Sequence, residues 1–157
     1  MGSKVLILLD ADVIIHFQKA GRLELLTALY SNRLRILDII VDEELTGKTI
    51  VPVIENLLAS GLVEKMSFPS DEDILMEYLT LRKQKLGKGE SACMAVCRFH
   101  NEILASSNLR DIAPYCAQHG IAYLTTMDIF AIACLKKVLT SQECDEAIRT
   151  ILAKDSK

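Results

Sequence analysis

A chain of 157 residues, 50% hydrophobic and 25% charged, carries enough apolar side chain for one buried core, which excludes a disordered or fibrous class. A formal net charge of −3 argues against strong non-specific nucleic-acid binding, yet leaves room for an enzyme that meets nucleic acid through a small site and a cation. The longest apolar run near the N-terminus, Val5 to Leu9, is too short for a membrane span or a secretory signal, and nothing else reads as a targeting segment.

Taken in order, Met1-Gly2-Ser3 is compatible with an expression remnant. Lys4 to Leu9 (KVLILL) is a continuous apolar run ending at Asp10, the pattern of a strand covered on both faces. A helix follows from about Asp12, with Val13, Ile14 and Phe17 at helical spacing, and Leu23, Leu25, Leu26 and Leu29 mark a second. Arg35 to Ile40 reads as a second strand and Val41 to Leu45 as the start of a helix. Val53 to Leu58 is a further helix, stopped by Gly61, and Leu62 to Phe68 a third strand.

Ser70-Asp71-Glu72-Asp73 opens a helix that Arg82, Lys83 and Lys85 close, a polarity that suits the helix dipole at both ends. The next helix begins at Gly89-Glu90 and runs to about His100. Ile103 to Ser106 is a fourth strand, and a helix follows it to His119 with Gly120 as C-cap. Ile121 to Leu124 is a fifth strand, and Thr126 to Val138 a helix. The last helix, over 140–153, is amphipathic. It opens on the capping box Thr140-Ser141-Gln142-Glu143, with Cys144, Ala147, Ile148, Ile151 and Leu152 on one face. The alternation predicts one α/β domain over 1–157, built on a parallel sheet.

The five cysteines fall singly in apolar helical patterns, Cys93 and Cys97 four apart on one face, and no CxxC pair occurs. Buried thiols in a reducing cytoplasm are expected, and a zinc site is not. His16, His100 and His119 lack metal-ligand spacing and read as packing or capping residues. The run Arg82-Lys83-Gln84-Lys85-Leu86-Gly87-Lys88 is either a solvated helix end or a contact for phosphates.

The acids carry the chemistry. Asp10 ends the first strand, where open α/β sheets bind ligands; alternatively, Asp10 or Asp12 caps the next helix. Glu44 stands in Val41-Asp42-Glu43-Glu44-Leu45, which also reads as a solvated turn at a helix start. Glu90 heads a stripe that continues through Met94 and Cys97, so it either caps its helix or projects into a cleft. Asn108 and Asp111 follow the fourth strand and are each explicable as a cap or a first-turn acid. Together, two strands and two helix starts send acids to one edge. Carboxylates so gathered repel one another unless a cation compensates, and oxygen ligands favour Mg²⁺ or Mn²⁺.

The segments "LLDADVII", "GKGESACMAV" and "ASSNLRDI", with a looser "VDEEL", resemble the PIN-domain nucleases, which include toxins of toxin–antitoxin pairs; the likeness runs from about Val5 to Leu124. It implies a three-layer sandwich with a central parallel sheet of about five strands flanked by helices. It also implies hydrolysis of RNA phosphodiester bonds with Mg²⁺ or Mn²⁺. Asp10, Glu44 (or Glu43), Glu90 and Asp111 match the family's acids, with Asp10, Glu90 and Asp111 on the metal. Asn108 and Asp128 are secondary candidates, because many similar sequences carry an aspartate where this chain has Ser107 or Asn108. The partners implied are RNA, a small antitoxin and a second copy of the chain, in the cytoplasm and with no membrane. A PIN-like binding module with an impaired site is the alternative, and a DNA or flap nuclease of the same broad fold a third reading. The helix from Thr140 extends past the usual family core and is expected to pack on the sheet, support a dimer or bind a partner.

Overall fold

The first strand, β1 (Ile7–Leu9), is fully buried, as its unbroken apolar sequence requires. In this computed structural model, which describes residues 4–155, it lies at the centre of a five-stranded parallel sheet; Met1-Gly2-Ser3 lie outside the described residues. The other strands are β2 (Leu34–Leu37), β3 (Val63–Met66), β4 (Ile103–Ala105) and β5 (Tyr123–Leu124), in the order β3-β2-β1-β4-β5. Ile7 pairs with Leu34 on one side and Ile103 on the other. The chain therefore winds outward through β2 and β3, then returns to the other side of β1. The carboxyl ends of β1 and β4 form the switch point, where connections leave in opposite directions and open a crevice.

The helices are α1 (Ala11–Lys19), α2 (Leu23–Leu29), α3 (Asp38–Glu43), α4 (Val51–Ala59), α5 (Glu72–Lys83), α6 (Lys88–His100), α7 (Leu109–His119), α8 (Thr126–Leu135) and α9 (Ser141–Asp155). Contacts sort most of them into two layers. One layer holds α1, α2, α8 and α9, and the other α3, α5, α6 and α7. Phe17 of α1 stacks on Phe130 of α8 with ring centroids 4.7 Å apart. From Gly89 to Cys97, α6 is buried on every side, which its run of small residues permits. The three-layer sandwich expected from the sequence is the observed architecture.

Two expectations need correction. The second strand does not reach Ile40. The chain leaves the sheet after Leu37, because the Asp38 carboxylate accepts the Ile39 N–H at 2.8 Å and the Phe68 N–H at 3.2 Å and so starts α3 early. Glu43 and Glu44 consequently stand at the end of α3 and not at a helix start. Cys93, Cys97 and Cys116 are free and buried, and Cys134 and Cys144 face one another because α9 folds back along α8, with Cα atoms 7.1 Å apart. The last helix, α9, packs against α1 and α8, burying Cys144, Ala147 and Ile151, while Leu152 is 58% exposed. Among the described residues no helix is long and apolar enough to cross a membrane.

Candidate functional site

Asp10 is the first residue past β1, and its N–H is held by the Ala105 carbonyl at 2.9 Å, stitching the ends of β1 and β4 together. Its Oδ1 accepts the Ala11 N–H at 2.8 Å, so it caps α1. It also lines a cavity of about 410 Å³ at the switch point. The capping and cleft readings of Asp10 are thus both satisfied by one side chain.

Glu44 reaches the same cavity from the end of α3. Its Oε2 accepts the Gly89 N–H at 2.8 Å. A Cβ on residue 89 would lie 2.5 Å from Glu44 Oε1 and 2.8 Å from Ile40 Cγ1, so glycine is what lets the carboxylate approach the head of α6. Glu43 points elsewhere and pairs with Lys88 at 3.0 Å. Lys88 is thereby tied at the end of the basic run, whose Gly87 borders the cavity.

Glu90, in the first turn of α6, is only 7% exposed. Its Oε2 accepts Asn108 Nδ2–H at 2.9 Å, and its Oε1 is buried without a partner. Asn108 stands at the N-cap position of α7 but does not cap it. Its amide donates to both Glu90 and Asp111 Oδ2, the latter at 2.8 Å, holding the two acids together. Ser107 bonds to Thr126, its Oγ accepting the Thr126 N–H and donating to Thr126 Oγ1, each at 2.8 Å.

Asp10, Glu44, Glu90, Asn108 and Asp111 all line the one cavity. Asp128 does not. It closes a capping box with Thr125, accepting the Thr125 N–H at 2.9 Å while its own N–H bonds Thr125 Oγ1 at 3.1 Å, so the secondary role considered for it belongs to α8. The residue that the sequence reading passed over is Asp12. Weighed there only as a cap, it lines the cavity beside Asp10. Its two-residue spacing from Asp10 at the start of a helix was the available signal, but a 3.6-residue period says nothing about which flank faces the crevice.

Burial in the crevice raises the pKa of three of its acids, Asp10, Asp12 and Glu90. Burial, then the Asp12 and Glu44 charges, push Asp10 up to about 7. Burial, then the adjacent Asp111 carboxyl, push Glu90 up to about 8, with Asn108 opposing. Among the described residues no three His, Cys, Asp or Glu side chains already surround one point as a metal-ligand set. The donors are nevertheless all hard oxygens, and Glu90 Oε1 and Asp12 Oδ1 are buried with no partner. That donor set suits Mg²⁺ or Mn²⁺ and not a soft metal.

No family model matches the sequence, and no curated protein matches it. Solved structures do. The chain is similar to a DNA-bound VapBC from Salmonella typhimurium at 14% identity and a TM-score of 0.58, over 78% of this chain and 99% of that one. It is similar to VapBC-1 of nontypeable Haemophilus influenzae at 18% identity and 0.57, over 78% and 98%. A toxin–antitoxin complex from Klebsiella pneumoniae matches at 20% identity and 0.52, over 76% and 97%. The toxins of such complexes are PIN-domain proteins. The chain has the PIN fold. The PIN fold here brings the four acids matched from the sequence, Asp10, Glu44, Glu90 and Asp111, to the carboxyl ends of β1 and β4.

Proposed function

We propose that this PIN-fold chain is a Mg²⁺- or Mn²⁺-dependent endoribonuclease that acts in the cytoplasm as the toxin of a toxin–antitoxin pair. The observation that carries the reading is the convergence of Asp10, Glu44, Glu90 and Asp111 on one crevice, with Glu90 Oε1 buried and unpaired. Asp10, Glu90 and Asp111 are the residues to hold the cation, and Glu44 adds negative charge from the end of α3. When bound, a divalent cation supplies charge to polarise the phosphate, activate a water and stabilise the leaving oxygen. Burial pushes Asp10 up to about 7 and Glu90 up to about 8, so a cation held there would compete with protons at both carboxyls. Asn108 keeps Glu90 and Asp111 within reach of one another. No side-chain nucleophile is required.

Support for the toxin role comes from the neighbours, which are toxin–antitoxin complexes. The proposed partners are RNA, a small antitoxin and a second copy of the chain. Leu75, Met76 and Leu79, exposed on α5, give a protein partner an apolar face.

The test is cleavage of single-stranded RNA by purified protein, with Mg²⁺ or Mn²⁺ and with EDTA. Removing the cation, or making Asp10→Asn or Glu90→Gln, is expected to lower the rate by about 100-fold or more, since the charge stabilisation lost is worth several kcal/mol. Cleavage that persists in EDTA or in Asp10→Asn would falsify the reading. RNA binding without turnover would favour a binding module, and faster turnover of single-stranded or flapped DNA a DNA nuclease.

A further inference from the structure

The capping role open to Asp12 in the sequence is taken by Asp10, whose Oδ1 receives the Ala11 N–H. Asp12 sits inside the first turn of α1, on the flank that lines the cavity, as does Ile15 one turn on. One of its oxygens is committed: Oδ2 accepts the Ser107 N–H at 3.0 Å. The other, Oδ1, is buried and has no hydrogen-bond partner. A buried acceptor left unpaired costs free energy that folds retain where a ligand compensates. Glu90 Oε1, in a side chain more than nine-tenths buried, lines the same cavity and is unpaired in the same way.

The anchor of Asp12 is itself fixed from behind. Thr126 donates its N–H to Ser107 Oγ at 2.8 Å, Ser107 Oγ donates to Thr126 Oγ1 at 2.8 Å, and His16 Nδ1 meets Thr126 Oγ1 at 2.8 Å. The segment that holds Asp12 Oδ2 is thus clamped to the head of α8, and α1 and α8 are joined deeper by the Phe17–Phe130 stack. A carboxylate with one oxygen anchored and the other bare is preorganised to give that second oxygen to a cation.

We infer that Asp12 is a fifth acid of the site, with Oδ1 sharing in the hold on the divalent cation. This rests on the metal-dependent reading above. Asp12→Asn separates it from a merely structural role, because asparagine keeps an oxygen for the Ser107 N–H and loses only the negative charge.

The experiment measures Mn²⁺ binding to chelator-stripped full-length protein, by the loss of the free-ion electron paramagnetic resonance signal and by calorimetry. Melting temperature is recorded with and without the ion. Asp12→Asn is expected to weaken Mn²⁺ binding tenfold or more and to shrink the Mn²⁺-induced rise in melting temperature. The metal-free melting temperature should stay unchanged or rise, and Asp128→Asn, at the α8 cap, should bind as the parent does. Parent protein that binds no Mn²⁺, or binding that survives Glu90→Gln undiminished, defeats the metal reading and this inference with it. Parent protein that binds while Asp12→Asn binds equally well defeats this inference alone. If Asp12→Asn does not fold, Asp12→Ser replaces it; failure of both to fold assigns Asp12 a structural role and overturns the inference.

Discussion

At the scale of single residues, Asn108 shows how one position can be legible in type and misread in role. An asparagine before a helix is a routine cap, yet its amide is spent on Glu90 and Asp111. Its identity as a double donor explains why a neutral residue sits among acids: it bonds both without adding charge. Asp111→Asn, which leaves Asn108 beside an amide, is expected to cut RNA cleavage by about 100-fold while the fold persists, measured as kcat beside a thermal melt. Gly89 is the second such residue. Gly89→Ala must displace the Glu44 carboxylate or the Ile40 side chain, and a cost of about 1–3 kcal/mol is expected from overpacking. A denaturant melt reads the stability, and cleavage should fall in parallel because Glu44 is pushed off its anchor. Gly89→Ala with parent stability and parent rate would show that the close approach is dispensable.

At the scale of elements, the end of α7 and the start of α9 are legible in the sequence. The Thr140–Glu143 box is present, with the Thr140 N–H on Glu143 Oε1 at 3.0 Å, and Gly120 ends α7 in the left-handed region at φ 65°. Both signals are local: each is completed by residues within a few positions of the helix end. The β2–α3 boundary was misplaced because Ile39, Ile40 and Val41 suit a strand by propensity, and the hydrogen bond from Phe68 that favours the turn at Asp38 comes from 30 residues away. Asp128 belongs at this scale too. Asp128→Ala removes the α8 capping box and is expected to cost about 1 kcal/mol in a chemical melt. Metal-dependent cleavage by that variant should match the parent; a large loss of rate with an unchanged melt would return Asp128 to the site.

At the scale of the whole molecule, the acidic crevice sets a pH dependence. Asp10 stands at about 7 and Glu90 at about 8 in the folded chain, against ordinary values of 3.8 and 4.5. The folded state therefore holds these protons more tightly than the unfolded chain. The stability they contribute is full below the ordinary values and is lost as pH rises through about 7 and 8. Metal-free protein should show a melting temperature that falls by several degrees between about pH 5 and 8. Asp10→Asn should flatten the fall, and Mg²⁺ or Mn²⁺ added at pH 8 should reverse it. A melting temperature that climbs over that interval in the absence of metal would contradict the crevice electrostatics.

The sequence by itself determined the class of fold, because apolar runs alternating with helical periods admit a parallel sheet between helices and little else. It also determined which acids follow strand ends, since β1 and β4 were visible as short buried runs closed by polar residues. Only the tertiary structure decided that β1 and β4 are neighbours and that Glu44 and Glu90 close on the same crevice. Those contacts join residues more than forty apart, and no local pattern encodes them. It alone decided Asp12. Asp10 and Asp12 are chemically alike and two residues apart. What separates the cap from the bare oxygen is the Ser107 N–H arriving from the end of a strand 95 residues away.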